Sequence, residues 1–89
     1  MDYGVVLPIW QLTIAEAEAL TTRAEALGLD GVFVPDHILA KPATTQHYGG
    51  HWPDPFSLLA YLAGRTQRVR LGASVIVLPY RNPLVAAKA

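Results

Sequence analysis

An acid and an imidazole stand side by side at Asp36-His37, directly behind the apolar run Val32-Phe33-Val34 and a proline. Imidazole changes its charge near neutral pH, so His37 could give or take a proton, with Asp36 orienting it or a ligand. The plainer alternative has Asp36 capping a turn after Pro35 and His37 simply solvated, and residue type and spacing leave both open. Ser74 interrupts the apolar segment VRLGASVIVLP. A hydroxyl in such a strand needs a hydrogen-bond partner. That partner is either a neighbouring backbone carbonyl or, next to the small pair Gly72-Ala73, part of a bulge that turns backbone toward a ligand. His47 and His51 are four apart, a spacing that suits a metal pair on a helix. Here they flank Gly49-Gly50 with no further ligand at a defined spacing, so they read as solvent-facing loop histidines and no metal site is expected.

The elements that must position these residues follow from apolar periodicity and its punctuation. Tyr3 to Leu7 reads as a buried strand stopped by Pro8. Thr13 and Glu16 have the spacing of a capping box. Ile14, Ala17, Leu20, Ala24 and Leu27 then form one helical stripe that ends at Gly28. Gly31 to Val34 is a second short strand. Residues 36–53, with Pro42, Gly49, Gly50, Pro53 and three histidines, read as a long irregular stretch of the kind that is usually functional or mobile. Asp54-Pro55 starts another helix, with Asp as N-cap and Pro in the first helical position. Residues 69–79 read as a near-continuous apolar strand covered on both faces, and Asn82-Pro83 begins a last helix.

Strands alternating with helices imply a parallel sheet with right-handed crossovers, hence an α/β fold. Two architectures compete, a small doubly wound sheet and part of a (β/α)8 barrel. A barrel of about 250 residues has roughly 31 per unit, so 89 residues hold about three. In either case ligands bind at the carboxyl ends of the strands. Pro8-Ile9-Trp10, Asp36-His37 and Pro79-Tyr80-Arg81-Asn82 would therefore share one rim. Arg81 is the basic residue placed to act there; Lys41, Arg65, Arg68 and Arg70 read as ordinary solvated charges. Trp52, beside Pro53, could line a pocket or pack the long loop down.

Composition narrows the function classes. Apolar residues make up 52% of the chain, enough for one small core. Seven basic residues balance seven acidic ones, which gives no field for holding nucleic acid or an anionic membrane. The absence of cysteine excludes disulfides, thiolate metal sites and a cysteine nucleophile. The N-terminal MDYGVVLPIW has no positive n-region and only a short apolar stretch, so a signal peptide and a membrane span are not expected and a cytoplasmic location is.

GLDGVFVPDHIL, followed by WPDPFSLLAYLAGRTQRVRLGASVIVLPYRNPLVAAKA, resembles the N-terminal third of the luciferase-like monooxygenase superfamily, with most likeness to its oxidoreductases that use coenzyme F420, a deazaflavin. The likeness rests on the order of the DH pair, the DP helix start, and RLG-A-S-V with RNP. It implies that residues 1–89 are the first part, about three βα units, of one (β/α)8 TIM-barrel domain in a longer enzyme, which moves hydride between deazaflavin and a small organic substrate. It further implies that His37 is a proton-transfer group and that Asp36 contacts the cofactor or fixes local geometry. Ser74-Val75 would be a strand-three bulge under the deazaflavin face, often with a cis non-prolyl peptide. Flavin mononucleotide (FMN) monooxygenases of the same superfamily share much of the pattern and form the alternative. A third reading, from length alone, is a non-catalytic interaction fragment: three open strands expose a parallel edge prone to pair with another chain, and a homodimer is among the assemblies expected.

Overall fold

The computed structural model describes residues 1–37, 41–49 and 51–89. Three short strands, β1 (Gly4–Val6), β2 (Gly31–Val34) and β3 (Arg70–Ala73), lie side by side in chain order, all parallel. Val5, Val32 and Leu71 share one row of the register, and Val6, Phe33 and Gly72 the next. Helices α1 (Ile14–Ala26) and α3 (Pro55–Ala63) form the crossovers. Sequential order with parallel pairing is common to a barrel segment and to half of a doubly wound sheet. The sheet alone therefore does not separate the two.

Each crossover helix starts on the residue that the sequence marks. In α1 the Thr13 hydroxyl accepts from the Glu16 N–H while the Glu16 carboxylate accepts from the Thr13 N–H. At α3 the Asp54 carboxylate accepts from the Ser57 N–H, with Pro55 in the first turn. Each such cap stabilises its helix by about 1 kcal/mol. Gly28 closes α1 with φ of 83°, a conformation that side-chain-bearing residues rarely adopt. The core lies on the helix side of the sheet, where Val32 and Val34 meet Leu58 and Leu62 of α3 and Ala17 and Ala24 of α1. Full burial of an aliphatic side chain contributes about 1.5–3 kcal/mol, so Leu62 and Val34 are among the anchors of the fold.

Several expectations are corrected. β1 is not a buried strand: its three residues are all exposed, and only Leu7, just beyond it, is buried. Its outer edge has no neighbour among the described residues, so one side of the strand stays open. The inward stripe of α1 is Ala17, Thr21 and Ala24, whereas Ile14, Leu20 and Leu27 are exposed. Small residues let the helix approach the sheet closely. Thr21, with no exposed surface, satisfies its hydroxyl by donating to the Ala17 carbonyl at 2.7 Å. The stretch 36–53 contains a two-turn helix, α2 (Pro42–Tyr48), with Pro42 at its start and Gly49 (φ 78°) at its end. Residues 38–40 and 50 of that stretch lie outside the described residues. The apolar segment 69–79 is strand only over Arg70–Ala73, and it is partly exposed because only one face carries a helix. A 3-10 turn at Leu78–Tyr80 follows, then α4 (Pro83–Lys88), capped by the Asn82 side chain.

The open face of the sheet is paved by one ring. A Cβ added at Gly4, Gly31 or Gly72 would come within 2.9, 2.8 or 3.0 Å of Phe33 ring atoms, so these three glycines let the phenyl group lie flat across all three strands. No helix among the described residues is long and apolar enough to cross a membrane.

Three of the charges expected to be merely solvated have partners, Arg65 with Glu18 and the Tyr61 ring, and Arg68 and Arg70 as follows. The Arg68 guanidinium donates to the Glu25 and Leu29 carbonyls, and that of Arg70 to the Asp2 carboxylate. Beside them the Glu25 side chain accepts the backbone N–H groups of Gln67, Arg68 and Val69, which ties the end of α1 to the entry of β3. The N–H of Val69 and then that of Arg68 hold this carboxyl below its ordinary range against a smaller opposing effect of burial. A lowered folded value means stability that is complete above the unfolded carboxylate range and lost as pH falls through the folded value. Glu25→Ala is therefore expected to lower the urea midpoint at pH 7. The gap to the parent should close as the pH is taken below 4; a gap constant down to the acid transition would exclude this linkage.

Candidate active site

The rim at the carboxyl ends of the strands is built from three turns. After β1 the chain passes through Pro8 into a 3-10 turn, Ile9–Gln11, which buries Ile9 and brings Trp10 to the rim. After β2, Pro35 leads to Asp36 and His37. After β3 the Ser74 N–H still donates to the Val34 carbonyl at 2.8 Å, and the Ser74–Val75 peptide is cis, as the family likeness implies. Ser74 and Val75 are then exposed, Val75 by 68%.

Trp52, from the segment before α3, reaches the same place. Its ring centroid lies 4.4 Å from that of His37 and 5.3 Å from that of Trp10, both tilted, and its indole N–H donates to the Gly49 carbonyl. It both lines a pocket and fastens the loop, so the two alternatives for Trp52 hold together. A cleft of about 400 Å³ opens between these rings and Ser74, Val75 and Val77, with Asp36 at its base.

Asp36 is only 5% exposed, and its hydrogen bonds run to the segment beyond β3 rather than to its own turn. One carboxylate oxygen accepts the Val77 N–H at 2.9 Å and the Arg81 Nε–H at 3.2 Å; the other accepts from Arg81 Nη2 at 2.8 Å. This two-point grip is the geometry a guanidinium offers and an ammonium does not. The remaining terminal nitrogen, Nη1, donates to Asp54 at 3.1 Å, and the Phe56 ring lies 5.0 Å beneath the guanidinium carbon.

Arg81 thus links the ends of β2 and β3 to the start of α3. The hydrogen bond to Asp36, outweighing burial, holds Arg81 still more firmly in its charged form. Burial pushes the Asp54 carboxyl up, but hydrogen bonds from the Ser57 backbone and hydroxyl and from Arg81 together bring it below its ordinary value.

The rim therefore brings together His37, Asp36, Ser74 and Val75 with three further residues the sequence offered for it, Trp10, Trp52 and Arg81. Asp54 was legible only as a helix cap; its second oxygen, on Arg81, has no local signature. His47 sits in the last turn of α2 and His51 lines a separate shallow hollow beside Trp10. Among the described residues no group of three or more potential ligands is placed to hold a metal.

The chain is 47% identical to an F420-dependent glucose-6-phosphate dehydrogenase of Intrasporangium calvum over 78% of its own length and 20% of that protein's. Similar enzymes of the same name from Nocardia farcinica and Mycobacterium tuberculosis are each 39% identical. The first covers 100% of this chain and 26% of the relative; the second covers 89% and 23%. The chain thus spans about a fifth to a quarter of the length of the curated relatives it matches. A family model described as luciferase-like monooxygenase matches residues 1–89. That match decides between the two architectures left open by the sheet: the three βα units are a segment of a (β/α)8 barrel, and the chain belongs to the luciferase-like monooxygenase family.

Proposed function

We propose that this chain carries part of the active site of an F420-dependent oxidoreductase, in which His37 moves a proton while hydride passes between the deazaflavin and a small organic substrate. The observation that carries the reading is the cleft itself, walled by two indoles and an imidazole at the carboxyl ends of parallel strands. Flat aromatic walls beside an exposed Ser74-Val75 backbone fit a planar heterocycle, which favours a ring cofactor over a flexible aliphatic ligand. Ser74 and Val75 would support one face of the ring, and Asp36 would keep the base of the cleft rigid. When bound, the deazaflavin supplies a two-electron hydride acceptor or donor. The protein's part is to hold the substrate, exclude water with Trp10 and Trp52, and pass the hydroxyl proton through an imidazole nitrogen of His37.

The relatives' names favour F420 over FMN and make a sugar phosphate such as glucose 6-phosphate the first substrate to try. Titrating the protein separately with F420 and FMN tests the cofactor. F420 is expected to bind at least about tenfold more tightly, a difference of roughly 1.4 kcal/mol. Tighter binding of FMN would move the protein to the oxygen-activating branch.

A further inference from the structure

We infer that Arg81 is a positioning residue for this site, setting the angle of the His37 imidazole through its two-point grip on Asp36. The inference rests on the proposed role of His37 and adds a residue that role does not include. Arg81 lies outside the cleft; its guanidinium meets Asp36, Asp54 and the face of Phe56. Its effect on the site runs through one short path. Asp36 precedes His37 in the chain, so the orientation of the 36–37 peptide sets where the imidazole leaves the backbone. The Asp36 carboxylate is fixed at both oxygens by Arg81 and at one by the Val77 N–H.

One carboxylate therefore aligns the turn that bears His37 with the segment that bears Ser74 and Val75. The side chain of Asp36 has no exposed surface and that of Arg81 is 14% exposed, so water competes little for these bonds. The third contact, to Asp54, serves a different end. Asp54 already caps α3 through Ser57, and its side chain is 45% exposed. Loss of that contact should loosen α3 and leave the imidazole in place.

The sequence supplies a reporter for this geometry. The chain has only two tryptophans, Trp10 and Trp52, and both stand in the cluster with His37. At 4.4 Å from the Trp52 ring the imidazole carbon-bound protons carry a ring-current displacement that depends on ring angle and distance.

The experiment records imidazole spectra of the cofactor-free protein with labelled histidine, for the parent and for Arg81→Lys, Asp36→Asn and Asp54→Asn. Arg81→Lys keeps the charge and loses the fork. Asp36→Asn loosens the same grip from the other side, so the test stands even where one of the two variants fails to fold. Both are expected to lose most of the His37 displacement, whereas Asp54→Asn should retain it while melting at a lower temperature. A folded Arg81→Lys or Asp36→Asn with the parent's His37 signal would overturn the inference, as would an equal loss in Asp54→Asn, which would mark a general loosening of the rim. Failure of the proton-transfer reading looks different: replacement of His37 would leave turnover intact, with the spectral effect of Arg81 unchanged.

Discussion

Arg81→Met is expected to cost about 3 kcal/mol of folding stability, the low end of the range for removing one partner of a buried ion pair. The reason lies less in the lost attraction than in what stays behind. Asp36 has a carboxylate with no exposed surface, and without Arg81 it keeps one backbone donor, the Val77 N–H. A carboxylate left in that position pays its desolvation with little return. The figure is at the low end because the guanidinium keeps some contact with solvent and its second ion pair, with the half-exposed Asp54, is partly screened. Against a total of 5–15 kcal/mol for an ordinary domain, such a loss is large.

The double variant Asp36→Asn/Arg81→Met gives the sign of the argument. With the charge removed from both sides, most of the lost stability should return, because a neutral amide in that pocket is far cheaper to bury than an unpaired ion. Urea unfolding of the parent, the two single variants and the double variant measures it. A double variant no more stable than Arg81→Met would mean that packing against Phe56, rather than charge, holds Arg81 in place.

What the sequence made legible divides along the distance between interacting residues. Helix starts at Thr13, Asp54 and Asn82 and the stop at Gly28 are local chemistry, written within three or four residues, and all four are found. The parallel order follows from alternation and connection rules and is also found. Contacts between residues far apart in the chain left no local trace: Glu25 gathering three N–H groups before β3, or Arg81 reaching back to Asp36 and Asp54. Residues 42–48 form a helix that their sequence hides for another reason. PATTQHY has no apolar period and is rich in weak helix formers, so Pro42 and Gly49 passed for loop punctuation although they stand at the start and stop of α2. The stripe read along α1 joins Ala17 and Ala24, which do face the sheet, to Ile14, Leu20 and Leu27, which do not, and it passes over Thr21 at the centre of the buried face. For the site, the rim argument places Trp10, Asp36, His37 and Arg81 on one edge, and Ser74 joins them only through the family likeness. The place of Trp52 between Trp10 and His37 cannot be read that way, because Trp52 arrives from a loop whose path no periodicity describes.

Under the proposed function, His37→Ala is expected to lower turnover with F420 and a sugar phosphate by about 10²–10⁴-fold, the usual contribution of a positioned proton donor or acceptor. Cofactor affinity should change far less. The imidazole forms only one edge of the cleft, while Trp10, Trp52, Val75 and the strand-end backbone stay in place. Stability should fall by no more than about 0.5–1.5 kcal/mol, the worth of one aromatic contact with Trp52. A large fall in rate with small falls in affinity and stability is the pattern of a group used mainly in the transition state. It is the reverse of the pattern expected for Arg81→Met, in which stability is the first casualty. The hole left by the alanine lies beside Trp52 at the open mouth of the cleft, so free imidazole has a route into it. Added imidazole should restore part of the lost rate in proportion to its concentration, and the same ionic strength of sodium chloride should not. Rescue would separate a missing proton carrier from a displaced rim, which a diffusible base cannot rebuild. Turnover of His37→Ala within about threefold of the parent, well under the range for such a group, would remove the imidazole from the chemistry and leave it as a packing partner of Trp52.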